Sequence, residues 1–202
     1  MSQQEHYYSI QGPATAEFKD RGSRFIAFAF PIADAEEFKK KLNDIRKEHP
    51  KAVHHCFAYR LGPAGELFRV NDDGEPSGTA GRPILGQIDS KGLTSLGIVV
   101  VRYFGGTLLG VPGLINAYKT AAALALQLTP MVKKTVNASL EIEFDYTLLN
   151  EIMRLIKQYS CNIIKKDLQL FSRMIISLPI AAVDELSARL GEFRNVEVKR
   201  LE

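Results

Sequence analysis

The chain has 202 residues, 46% of them hydrophobic, and a formal net charge of +3, a composition that fits one large or two small globular domains and excludes a disordered or fibrous chain. The opening from Met1 to Gly12 is polar, without a hydrophobic signal core, and no apolar run approaches a membrane span, so a cytoplasmic location is expected. Two distant cysteines, Cys56 and Cys161, exclude a disulfide framework and a C-x-x-C metal site, and the small charge excludes a strong electrostatic claim on nucleic acid.

In chain order, Phe25 to Phe30 reads as a strand stopped by Pro31. Asp34, with Glu37 three residues on, marks a helix start, and Phe38, Leu42 and Ile45 form that helix's apolar face. Val53 to Arg60 and Leu67 to Val70 pair as strands across Gly62-Pro63-Ala64-Gly65. A long loop rich in small and acidic residues follows, from Asn71 to Pro83, and leads to a helix containing Ile84, Leu85 and Ile88, with Ser77 as the expected cap. The apolar run Ile98 to Val101 then delivers Arg102-Tyr103-Phe104 to a glycine loop, Gly105 to Gly110. Leu114, Ala117, Tyr118, Ala121, Leu124, Ala125 and Leu128 recur at spacings of three, four and seven and predict one buried helix face.

A boundary falls at Thr129-Pro130-Met131-Val132-Lys133-Lys134, giving expected domains of 1–130 and 135–202. The residues up to Lys134 carry a net charge of +4 and those after it −1, so any basic surface belongs to the first domain. The second domain reads as β-α-β-β-α-β. Leu140, Ile142 and Phe144 alternate with glutamates in a strand, Leu148 to Tyr159 shows helical spacing, and strands are expected near Asn162 to Leu170 and Ser172 to Ile180. Val183, Leu186, Leu190 and Phe193 mark the second helix, and Val196 and Val198 the last strand, which completes a ferredoxin-like order.

The glycine loop fits G-x-x-x-x-G, but Val111 and Pro112 stand where a phosphate-binding loop needs Lys and Ser or Thr. Its glycines allow three readings: a turn that lets the helix pack closely on its strand, an anion site at the helix start, or a protein-contact loop. His54, His55 and Cys56 with Asp72, Asp73 and Glu75 offer metal-ligand chemistry, yet consecutive strand residues face opposite ways, so the two histidines do not converge easily. Ser77 or Thr79 with His55 offers a nucleophile and base, without any G-x-S-x-G elbow. No catalytic residue, metal ligand or cofactor is therefore assigned.

Three motifs in order, His55-Cys56-Phe57-Ala58-Tyr59, Asp73-Gly74-Glu75-Pro76-Ser77-Gly78-Thr79-Ala80-Gly81 and Val99-Val100-Val101-Arg102-Tyr103-Phe104-Gly105-Gly106 with Leu109-Gly110 beyond, resemble the signature of the IMPACT/YigZ family. The resemblance covers the whole chain. It implies an α+β protein with an N-terminal domain similar to a domain of a small-subunit ribosomal protein. A ferredoxin-like C-terminal domain resembling the fifth domain of elongation factor G would follow. It also implies a role near translation, since eukaryotic members restrain a stress kinase by binding that kinase's activator. Those members add an RWD domain that is not expected here, so that partner system does not transfer. Where many bacterial members have Lys and a second Gly, this chain has Leu108 and Pro112, and the missing Lys removes a phosphate-binding cation.

The expected function is that of a non-enzymatic, translation-associated regulatory or binding protein that contacts RNA, a ribosomal component or a translation regulator. The alternative is an uncharacterised, hydrolase-like enzyme using His55 and the Asp73 to Glu75 loop. Candidate partners are RNA, a ribosome-associated factor or another protein, with no membrane. The expected contact residues are His55, Arg60, Asp73, Glu75, Ser77, Thr79, Arg82, Arg102, Tyr103, Phe104, Gly105, Gly106 and Lys119. Of these, His55, Asp73, Glu75, Arg82 and Arg102 are expected on one face, or else Arg102 is buried against Asp73 or Glu75.

Overall fold

The computed structural model describes residues 4–201. Among the described residues, Tyr7–Lys134 forms one compact unit, and 135–201 together with 4–6 forms the other.

In the first unit, β1 (His6–Ile10) pairs with β7 (Met131–Thr135), and a five-stranded sheet runs in the order β2-β3-β6-β4-β5. Its strands are β2 (Ala14–Asp20), β3 (Ser23–Pro31), β4 (His54–Leu61), β5 (Leu67–Asn71) and β6 (Leu96–Tyr103), and every ladder between them is antiparallel. The central strand β6 is apolar on both sides because helices cover both faces of the sheet. On one face, α1 (Ala35–Glu48) packs Phe38, Leu42 and Ile45 against Phe57, Val99 and Val101. On the other, α2 (Gly81–Ser90) and α3 (Gly110–Gln127) pack Ile84, Ile88, Leu114 and Tyr118 against Cys56, Ala58, Ile98 and Val100. The parity of each strand thus decides which layer a side chain enters.

The start of α1 follows its sequence signal. Asp34 Oδ1 accepts from the Glu37 amide at 2.8 Å, and Glu37 Oε2 accepts from the Ala33 amide at 2.8 Å, a reciprocal cap of the kind that stabilises a helix by about 1 kcal/mol. Two expectations differ. Leu128 lies beyond the last turn of α3 and is exposed, and the cap of α2 comes from Asp72, not Ser77. Strands β1 and β2 had no counterpart in the sequence reading.

The second unit has a sheet in the order β11-β8-β10-β9, built from β8 (Asn137–Asp145), β9 (Asn162–Asp167), β10 (Phe171–Pro179) and β11 (Val196–Leu201). Helices α4 (Leu149–Gln158) and α5 (Val183–Gly191) supply Ile152, Leu155, Leu186 and Leu190 to a core shared with Leu140, Ile142, Phe144, Met174 and Ile176. Element order and strand order are those of a ferredoxin-like fold. Opposite that core, Glu141 and Glu143 of β8 lie beside Arg173 of β10, with Arg173 bonded to Glu141. No helix among the described residues is long and apolar enough to cross a membrane.

Candidate functional site

The ends of β4 and β6, the loop after β5 and the start of α3 meet around a cavity of about 460 Å³. Its polar floor is made by His54, Glu75 and Arg102; its walls and rim are apolar, with Val53, Phe104, Leu108, Val111 and Leu114. His54 and Arg102 are paired residues across the β4–β6 ladder, so the register itself places them together.

Glu75 arrives from a loop that holds its own shape. Asp72 places its carboxylate against the amides of Gly78 at 2.9 Å, Ala80 at 3.0 Å and Gly81 at 2.8 Å, closing the loop and capping α2 together. Burial works to raise the Asp72 pKa, but those three amides and the Arg82 charge outweigh it and leave the carboxyl below its ordinary value. Asp73 follows with φ +43°, a left-handed conformation that Asp tolerates better than most residues, and the Asn71 side chain accepts its amide at 2.7 Å.

At the floor, Arg102 Nη1 donates to Glu75 Oε1 at 2.6 Å, and the Tyr118 hydroxyl donates to the same oxygen at 2.8 Å. The two side chains are 7% and 3% exposed, so this is a buried ion pair with a neutral third member. Cys56 Sγ lies 3.3 Å from the Tyr118 oxygen and 3.0 Å from the Asp72 carbonyl. Burial pushes the Cys56 thiol and the Tyr118 hydroxyl far above their ordinary values, which keeps both protonated as hydrogen-bond donors. The Arg102 guanidinium lies over the Phe25 ring at 5.5 Å and the Phe104 ring at 5.6 Å, while its Nε is buried without a hydrogen-bond partner. His54 is oriented by the Asp73 carbonyl, 2.7 Å from Nδ1; a carbonyl only accepts, so Nδ1 carries the proton and Nε2 faces Glu75 Oε1 at 3.8 Å.

Of the thirteen contact residues expected from sequence, Glu75, Arg102 and Phe104 line this cavity. His55 does not, because strand alternation turns it to the α1 layer, where its amide donates to Asp73 Oδ2 at 2.7 Å and its ring nitrogen lies 3.8 Å from the same carboxylate. Burial lowers the His55 pKa, with the Asp73 charge opposing it. The Asp73 carboxylate is on that side too, 3.2 Å from Arg46. Tyr103 shares the α1 layer, held by His49 Nδ1 at 2.8 Å from its hydroxyl. The five polar groups expected on one face are therefore divided between the two faces of the sheet, and the buried Arg102–Glu75 pair is the arrangement found.

Arg60 sits at the far end of β4, bonded to Asp89 at 2.8 Å and stacked over Phe68. Thr79 is buried and donates to the Pro76 carbonyl at 2.7 Å. Ser77, Arg82, Gly106 and Lys119 are exposed and lie outside the cavity lining. Gly105 serves packing: a Cβ there would stand 1.9 Å from the Gly22 carbonyl carbon, so only glycine lets the β2–β3 turn close on this loop. Sequence reasoning missed His54 and Tyr118 at the floor and Val53, Leu108, Val111 and Leu114 around it. No group of three or more His, Cys, Asp or Glu able to hold a metal ion occurs among the described residues.

The Impact N-terminal domain matches residues 21–126, a stretch that contains every residue of the cavity. The YigZ protein of Escherichia coli, named as an IMPACT family member, is 37% identical over 90% of each chain. The chain belongs to the IMPACT family. Another member, YvyE of Bacillus subtilis, is 35% identical over 72% of this chain and 67% of its own. The crystal structure of a hypothetical protein superposes over 99% of both chains with a TM-score of 0.82 at 35% identity. The fold of this IMPACT family member, both units included, is thus one already seen in a solved relative.

Proposed function

We propose that this IMPACT family member is a non-enzymatic binding protein acting in association with translation, and that the cavity of its first unit receives the partner. The observation that carries the reading is the contrast between floor and rim. Leu108 is 81% exposed, and Phe104, Val111 and Val53 stand about half exposed around it, although burying a side chain of this size is ordinarily worth about 1.5–3 kcal/mol. An apolar ring around a satisfied polar centre is the anatomy of a contact surface. The floor groups support binding over chemistry, since Arg102 and Glu75 neutralise each other and the thiol and phenol are held protonated.

Among the cavity's lining residues the one Lys or Arg is the buried, paired Arg102, which favours a protein partner over an RNA backbone. Translation enters through the family resemblance. The test is capture of partners from lysate, with and without nuclease, by the wild-type chain and by Leu108→Asp. The reading expects a nuclease-resistant partner from the translation machinery that Leu108→Asp loses. Capture of that partner unchanged by Leu108→Asp would remove the cavity from the function, and capture abolished by nuclease would transfer the reading to RNA.

One observation favours a second reading. His54 Nε2 is open toward the cavity beside Glu75, the arrangement of a proton-accepting histidine. Hydrolysis of generic ester or peptide substrates that His54→Gln abolishes would establish it, and activity indifferent to that change would dismiss it.

A further inference from the structure

Helix α4 and the edge strand β9 of the second unit border an open groove of about 720 Å³. Its apolar lining is Met153, Ile156, Cys161 and Ile163; Arg154 and Lys157 line it too, with no carboxylate among the lining residues. Neither cation has an ion-pair or hydrogen-bond partner among the described residues, whereas Arg173, on the opposite side of the same sheet, is taken by Glu141 and Glu143. The last carbonyls of α4 do not need them either, since those of Leu155, Ile156 and Lys157 already accept from the amides of Tyr159, Cys161 and Ser160. Strand β9 adds a second, independent feature. It pairs with β10 alone and is exposed at all six residues, so alternate amides and carbonyls lie open on its outer edge. Lys166 stands opposite Met174, a core-facing residue of β10, and so lies on the helix side of the sheet, as Ile163 does opposite Ile176.

We propose that this groove binds an acidic segment of a partner protein, laid along β9 with one apolar side chain in the groove and carboxylates toward Arg154, Lys157 and Lys166. The unpaired cations select an anion, the apolar lining selects an aliphatic side chain, and the open strand edge selects a peptide main chain. RNA is disfavoured, because the lining has no aromatic ring for a base to stack on and the residues after Lys134 carry a net charge of −1, a poor field for a polyanion. A second copy of this chain is disfavoured by the edge itself, where Lys165, Lys166 and the extra residue Ile164 discourage two β9 strands from pairing. The groove belongs to the second unit, so the proposal is separate from the reading given to the cavity of the first.

The test titrates the full-length protein with an acetylated, amidated pentapeptide, a central leucine between two pairs of glutamates, and follows the protein's amide and methyl resonances. Shifts are expected at Met153, Cys161 and Ile163 and along β9. Replacing the glutamates by glutamine should weaken binding about tenfold, and replacing the leucine by alanine, or methylating the backbone nitrogens around it, about fivefold. Arg154 and Lys157 are exposed, so the double change Arg154→Glu with Lys157→Glu should leave the circular dichroism intact and weaken binding about tenfold or more. Lys199→Glu, on the opposite face of the sheet, and Leu108→Asp should leave it unchanged. Binding indifferent to any of the peptide changes or to the double reversal, shifts confined to other sites, or no shift at millimolar peptide overturns the proposal. Tighter binding of a short oligouridylate at the same resonances gives the groove to RNA, and groove resonances that move with protein concentration alone give it to a second copy; either result overturns the proposal. Partner capture that Leu108→Asp still abolishes in those cases leaves the first unit's binding function standing. Peptide binding as expected, with capture indifferent to Leu108→Asp, does the reverse.

Discussion

Arg102→Met tests whether the buried ion pair holds the first unit together. Methionine is unbranched and apolar, so the change removes the charge, the hydrogen bond and the guanidinium that lies over the Phe25 and Phe104 rings and spares much of the volume. What remains is a Glu75 carboxylate 3% exposed, with the Tyr118 hydroxyl as donor and His54 at 3.8 Å. Removing one member of a buried pair typically costs about 3–5 kcal/mol, because the other charge stays desolvated. With a urea dependence of about 2 kcal/mol per molar, the midpoint falls by roughly 2 M. Glu75→Gln alone strands the Arg102 charge and should cost a similar amount. The double variant leaves a neutral floor in which Gln still accepts from Tyr118, so it should regain about 2 kcal/mol or more relative to the sum of the single changes. The assay is urea unfolding followed by circular dichroism, with amide exchange confirming that the loss is confined to Tyr7–Lys134. A cost below about 1 kcal/mol for Arg102→Met, with additive single changes, would refute the reasoning.

Gly105→Ala should destabilise the first unit by about 1–3 kcal/mol and shift resonances of the β2–β3 turn, since its Cβ would stand 1.9 Å from the Gly22 backbone; unchanged unfolding would show that the loop yields freely. Asp72→Ala removes the acceptor of three amides and should cost about 1–2 kcal/mol in urea unfolding, with faster amide exchange at Gly78, Ala80 and Gly81. His55 has a folded pKa below its ordinary 6.5, so the unfolded chain binds the extra proton first as pH falls. Stability is therefore full above about 6.5 and is lost as pH falls from there toward the folded value, a dependence that His55→Gln should flatten and pH-resolved melting would detect. Retention of structured RNA, where it is measurable, should fall steeply with salt, because the first domain's net charge is +4; retention unchanged at high salt would contradict the weak cationic character read here.

The second unit was readable from its pattern, because β8 and β10 bury one face and each helix has one apolar face, so Leu140, Ile142 and Phe144 announced their parity. In the first unit the sheet is covered on both faces, and β4 and β6 carry apolar residues at both parities. His54 and His55 could then each have faced the cleft; the β4–β6 register and the packing of α2 and α3 decide it, and neither is local. Tyr118 was legible as a core residue of α3, but its hydrogen bond to Glu75 joins residues 43 apart and has no periodic signature. The pairing of Arg102 with Glu75 was open to argument from sequence alone, since an Arg ending an apolar strand needs a carboxylate to remain buried. The family motifs pointed to loops that border this cavity while leaving their side chains unassigned to a face.

The central claim is that the apolar rim of this cavity meets a protein partner associated with translation. Photo-cross-linking in living cells from a benzoylphenylalanine at position 108, compared with one at the also exposed Phe68 on the β5 edge, tests it most directly. The account predicts a discrete, nuclease-resistant protein adduct at 108 that co-sediments with the translation machinery and is absent at 68. Adducts of the same kind from both positions, or none from 108, would contradict it.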